Sequence, residues 1–100
     1  MVADITSGCT IRFGPDTAGF TEILVETAAT ADVGDTVVLT LANYGIVTFL
    51  AIDGYVHSTT DSIVIKEEPT TAVSSGVLTV TLTSATNKKR VYSIIGRGAK

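Results

Sequence analysis

Glutamine is absent from this chain, and Leu, Lys, Arg and Glu are sparse, so the straight-chain helix formers are in short supply. A helical bundle is thereby disfavoured. The single cysteine, Cys9, rules out an internal disulfide, fits a reducing compartment, and is most simply a small buried or half-buried side chain. One histidine, His57, joins that one cysteine, too few for the four N/S ligands of a structural zinc site within one chain. His57 could at most give one ligand per subunit on a symmetry axis, and neither metal nor cofactor is expected. Charged residues make up only 17%, against about 25% in ordinary domains, and the net charge of −3 lacks the broad basic face that nucleic acid requires. The opening Met1-Val2-Ala3-Asp4-Ile5 has no basic then apolar leader, and no run nears the roughly 18 apolar residues of a membrane span. The expectation is a protein kept in the cytoplasm or released by lysis, with no nucleic-acid or membrane partner.

What is abundant points to sheet. Thr, Val and Ile supply 38 of 100 residues, the branched side chains that suit a pleated surface. Hydrophobic residues reach 45% and mean hydropathy is positive at +0.42. With so little charge to coat a small sphere, either another chain covers part of the surface or the Thr, Ser and Gly residues do the solvating.

Along the chain, residues 77–83 alternate Leu78, Val80 and Leu82 against Thr79, Thr81 and Thr83, a strand with one core face and one wet face. The polar stretch 84–89 reads as a turn and 90–95 as the returning strand, making a C-terminal hairpin. Residues 35–42 form another strand, ending at Asn43-Tyr44-Gly45. The nearly all-apolar run 46–52 suits a strand covered on both sides or buried in a subunit contact. Asp53-Gly54 signals a two-residue turn, before Tyr55-Val56-His57. Residues 62–68 are a strand closed by Pro69, and 70–76 connect onward. Residues 20–28 fit a helical template and partly an alternating one; the concentration of Thr, Ile and Val favours a strand over 21–27. The fold expected is all-β, an antiparallel β-sandwich or small β-barrel of about six or seven strands, as a single domain over 1–100 with 1–15 and 96–100 as flexible or oligomer-contacting arms.

Reactive constellations are thin. His57-Ser58-Thr59-Thr60-Asp61 holds the residue types of a nucleophile–base–acid set, but neighbours in sequence rarely aim at one another, and a hydroxyl-rich loop accounts for them. Glu67 and Glu68 are adjacent and face opposite sides of a strand, which defeats paired-carboxylate hydrolysis. Gly96-Arg97-Gly98 has no helix after it to hold a phosphate. No catalytic residue is expected, and the chain reads as no enzyme. Lys88, Lys89 and Arg90 form the only basic cluster, either a solvated hairpin tip or an electrostatic contact with an acidic partner such as Glu67 and Glu68 of a neighbouring copy. Tyr44, Tyr55 and Tyr92 are candidate contact anchors or core residues with the hydroxyl at the rim. Tyr44, Phe49, Tyr55, Lys88, Lys89 and Arg90 are the candidate interface residues.

The pattern Ala31-Asp32-Val33-Gly34-Asp35-Thr36-Val37, Asp53-Gly54-Tyr55-Val56-His57, Pro69-Thr70-Thr71, Gly76-Val77-Leu78-Thr79-Val80 and Asn87-Lys88-Lys89-Arg90-Val91-Tyr92 resembles small β-rich virion proteins of tailed phages and archaeal viruses, head-decoration proteins among them. The likeness spans residues 31–95 and lies in Thr-rich strands and short polar turns. It implies a non-enzymatic protein in many copies, a homo-oligomer with a trimer favoured, placed in the virion or in host cytoplasm during assembly, with a capsid or tail protein as partner. The other reading is a monomeric sandwich that binds carbohydrate or protein.

Overall fold

The computed structural model describes residues 3–14 and 20–98. Among the described residues eight strands succeed one another: β1 (Thr10–Phe13), β2 (Phe20–Glu26), β3 (Thr36–Thr40), β4 (Thr48–Thr59), β5 (Ile63–Glu67), β6 (Thr70–Ser74), β7 (Val77–Thr81) and β8 (Arg90–Arg97). Short 3-10 turns occupy Thr6–Gly8 and Leu41–Tyr44. The strands form two sheets, one ordered β1-β2-β8-β4-β5 and the other β3-β7-β6, and every strand pairing is antiparallel. This is the all-β, sandwich-like fold that the composition implies.

The core lies between the sheets. Ile23 and Val25 of β2 pair with Ile94 and Tyr92 of β8, and on the other sheet Val37 and Leu39 of β3 pair with Val80 and Leu78 of β7. All eight side chains are buried in one cluster, which Ala31, Leu41, Ile46 and Leu82 complete. The alternation Thr79, Thr81 against Leu78, Val80 places the threonines on the outer face, as period-two patterning requires. Residues 20–26 are strand, so the branched residues prevail over the helical spacing.

Four sequence expectations are corrected. β7 and β8 are not a hairpin: β7 pairs with β3 and β6, β8 with β2 and β4, and residues 82–89 carry the chain from one sheet to the other. Asp53-Gly54 is no turn but the middle of the long strand β4. Gly54 is needed there for closeness, since a Cβ would lie 2.7 Å from the Glu67 carbonyl oxygen and 2.9 Å from Tyr92 Cε1. Residues 70–74 are a strand, and the hairpin the sequence hides joins β6 to β7 through Ser75 and Gly76, both at positive φ (52° and 77°) as a tight primed turn demands. The apolar run 46–52 is not covered on both sides within the chain. Ile46 enters the core, Val47 is exposed, and Leu50 bulges outward where the β4–β8 register shifts.

Much of the two expected arms belongs to the sheets. The Ile5 amide donates to the Thr36 carbonyl at 2.8 Å, the Thr36 amide to the Ala3 carbonyl at 2.8 Å, and the Val38 amide to Thr6 Oγ1 at 2.7 Å, so residues 3–6 cover the free edge of β3. β8 continues through Gly96 to Arg97. Residues 1, 2, 15, 99 and 100 of those stretches lie outside the described residues.

Because the void beside Gly54 is already filled, Gly54→Ala is expected to lower unfolding free energy by about 1–3 kcal/mol in urea denaturation. Gly8→Ala, where nothing lies within 4 Å of the new Cβ, is the control and leaves it nearly unchanged.

Candidate functional site

The densest chemistry in the chain is a polar cluster sealed inside it. Glu67 ends β5 with its side chain turned toward the core, while Glu68 is exposed, the opposition that strand geometry imposes on neighbours. Its Oε2 accepts from the amides of Thr83 (3.0 Å) and Ser84 (3.1 Å) and from Ser84 Oγ (3.1 Å), and its Oε1 accepts the Tyr92 hydroxyl at 2.7 Å. Arg90, the first residue of β8, is wholly buried beside it, with Nε 3.6 Å from Glu67 Oε2. Its Nη1 donates to the carbonyls of Ala31 and Lys88, and its Nη2 to the Ala85 carbonyl at 2.7 Å. Nε itself has no hydrogen-bond partner.

This arrangement holds structure and has no opening to a substrate. Both carboxylate oxygens of Glu67 are engaged, and its donors are main-chain amides and hydroxyls of the same chain. The Tyr92 phenol is pushed well above its ordinary range, first by burial and then by its hydrogen bond to Glu67. Cys9, half-buried with its thiol donating to the Ile5 carbonyl, is pushed up to about 11 by burial and by the Asp4 charge, so it is no reactive thiolate.

The basic cluster is consumed by the fold. Arg90 is interior and meets the Glu67 of its own chain, where a partner's acid had been one expectation. Lys89 Nζ contacts Glu26 and lies 3.0 Å from Asp61, and Lys88 Nζ donates to the Ser58 carbonyl at 2.9 Å. The hydrogen bonds from Lys89 hold the Asp61 carboxyl below its usual range, and those same bonds to Glu26 and Asp61 raise Lys89. Residues 88–90 are therefore neither a hairpin tip nor a freely solvated one. His57, near the end of β4, accepts the Asp61 amide on Nδ1 at 2.9 Å, an ordinary hydrogen-bonded histidine beside a turn.

The aromatic candidates are separated by the fold. Tyr44 is half-buried against Phe13, ring centroids 5.8 Å apart, and Phe49 is half-buried against the core. Tyr55 lies on the outer face of the larger sheet, with Lys66 Nζ 5.7 Å from its ring centroid. Sequence reasoning missed the surface that stands out most, Ile63, Val64 and Ile65 of β5, each about half exposed at the end of the larger sheet. The Ile-Val-Ile triplet was its signal, legible as a strand but not as an edge.

A concavity of about 240 Å³ is lined by Ile5, Ser7, Gly8, Ala28, Thr30 and Ala31. It carries no ionisable side chain and is below the roughly 300–1,000 Å³ usual for ligand sites. Among the described residues no group of three His, Cys, Asp or Glu side chains converges to hold a metal ion, and no helix is long and apolar enough to cross a membrane. Compared with known proteins, the chain matches no family model, no curated protein and no solved structure.

The raised phenol and thiol set the sign of an alkaline effect. Above pH 9–10 the unfolded chain releases protons from Cys9 and Tyr92 that the folded chain retains, so stability falls as pH rises through that range. Denaturation midpoints measured from pH 7 to 11 are expected to drop above pH 10 more steeply in the native protein than in Tyr92→Phe. That variant is expected to be less stable at pH 7 by about 1–3 kcal/mol, through the lost donor to Glu67.

Proposed function

We propose that the protein is a non-enzymatic structural component of a virus particle, of the capsid-decoration kind, and that it works as a closed homo-oligomer. The observation that carries this reading is the surface: three consecutive aliphatic residues of β5, with Phe13, Val47, Leu50 and Val73, stand exposed on a chain with few charges. Exposed apolar area of this kind marks contact surfaces. The acid and base groups favour the same reading, because the carboxylate best placed for chemistry, Glu67, is committed to holding loops together. The resemblance over residues 31–95 adds the viral setting. An assembly partner supplies what a small sheet domain with half-exposed Ile and Val lacks, at about 25 cal/mol per Å² of apolar area before the costs of association.

Light scattering on the full chain across micromolar concentrations tests it. A mass of two or more whole multiples of 10.4 kDa is expected. A constant monomer mass together with failure to bind purified capsids or tails would overturn the reading.

A further inference from the structure

Independently of any assembly, we infer that the turn from β4 to β5 is a pH-sensitive switch, with the imidazole of His57 as its sensor and Asp61 as its moving part. Three hydrogen bonds hold this turn. The Ser62 amide donates to the Thr59 carbonyl at 2.9 Å, the Asp61 amide to His57 Nδ1 at 2.9 Å, and Lys89 Nζ to the Asp61 carboxylate at 3.0 Å. Asp61 stands at φ 60°, in the left-handed region that residues other than glycine seldom occupy. Its amide is tied on one side and its carboxylate on the other.

A ring nitrogen accepts an amide proton only while it carries none of its own. Nδ1 as acceptor therefore fixes the neutral imidazole, with its proton on Nε2. When the ring takes a second proton, Nδ1 becomes a donor and meets the Asp61 N–H donor against donor. That bond is lost. The Asp61 carboxylate, with Oδ1 3.7 Å from the same nitrogen, is the acceptor within reach. Amide and carboxylate belong to one residue, so exchanging one for the other requires Asp61 to turn. The two protonation states of the ring thus select two arrangements of the turn, and imidazole is the side chain that ordinarily changes charge between pH 5 and 8.

The groups around the ring leave this exchange to His57. The ring lies on the outer face of the larger sheet, its side chain only 12% exposed. From β5, Val64 is opposite it, and Lys66 on the same face points away to Asp53 at 3.6 Å. From the segment before β8, the Lys89 carbonyl accepts the His57 amide at 2.8 Å, and the Lys89 ammonium reaches Asp61 and Glu26 of β2. Lys88 Nζ donates to the neighbouring Ser58 carbonyl. Lys89 competes with the imidazolium for Asp61 but keeps Glu26 when Asp61 turns, so its ammonium retains a partner. The hydrogen bond from Lys89, and then the Lys89 charge, hold the Asp61 carboxyl below its usual range, so it stays ionised where an imidazole titrates.

Nuclear magnetic resonance on the full chain, titrated from pH 8 to pH 5, reads both halves of the switch. With a single histidine the ring signals carry no ambiguity. At pH 8 the ring nitrogen shifts are expected to place the proton on Nε2. As the ring titrates, the Asp61 amide shift is expected to move with the same midpoint. The protection of that amide from hydrogen exchange, relative to the intrinsic rate at each pH, is expected to fall by about fivefold or more, the loss of one hydrogen bond. His57→Gln, whose side-chain carbonyl accepts at every pH, is expected to hold Asp61 protection constant over the range. A proton on Nδ1 at pH 8, a ring that stays neutral down to pH 5, an Asp61 amide that does not respond while the ring titrates, or the same response in His57→Gln overturns the switch. All but the last are read on the native protein and decide the matter even where the variant folds poorly.

Discussion

The placement of Arg90 against Glu67, both out of reach of water, is the constraint around which the two sheets are arranged. Burying two opposite charges costs several kcal/mol per ion, and their attraction offsets that only where the remaining donors and acceptors are also satisfied. Here Glu67 draws in Thr83, Ser84 and Tyr92, and Arg90 reaches the carbonyls of Ala31, Ala85 and Lys88. Apart from Tyr92 of β8, those partners lie on two of the four connections that carry the chain between the sheets, β2 to β3 and β7 to β8. A pair of ions therefore ties together two of the places where the chain changes layer. Removing either would leave the other charged, buried and unmatched.

Gly54 and Thr27 complete that arrangement from the larger sheet. The missing Cβ at Gly54 lets Tyr92 lie close enough for its hydroxyl to reach Glu67, and Thr27 Oγ1 accepts the Arg90 amide at 2.8 Å, holding the start of β8 beside β2. The apolar core of Val, Ile and Leu supplies the bulk of the burial. The polar cluster at its end decides which loop meets which. Such networks are of high consequence in a low-dielectric interior, and in this one Arg90 Nε is left without a hydrogen-bond partner, 3.6 Å from the Glu67 carboxylate.

Strand content was legible in the sequence because it resides in local chemistry: branched residues at 20–26, strict alternation at 77–81, and a polar turn after each. The opposed fates of Glu67 and Glu68 followed from the two-residue period alone. Sheet membership was not legible, because residues 82–89 have the polarity of a hairpin turn whether the chain returns in the same sheet or crosses to the other. Gly54 carries the same ambiguity, a turn residue by type that serves here as a place of close approach. Arg90 was read as part of a basic surface run because its neighbours Lys88 and Lys89 are charged, and nothing local tells an inward-turned arginine from an outward one. The exposure of Ile63, Val64 and Ile65 depends on β5 being last in the sheet order, a property of topology and not of the segment. Shortage of charge, by contrast, was visible from the outset, and it is the feature that the proposed assembly accounts for.

A double-mutant cycle on Glu67→Gln and Arg90→Met, followed by urea denaturation at pH 7, is the most direct test of the central role of this pair. Each single variant is expected to lose about 3–5 kcal/mol, and the double variant to lose less than their sum by more than about 1 kcal/mol. Two small losses that add within about 0.5 kcal/mol would show that the sheets are held in place by their apolar faces alone.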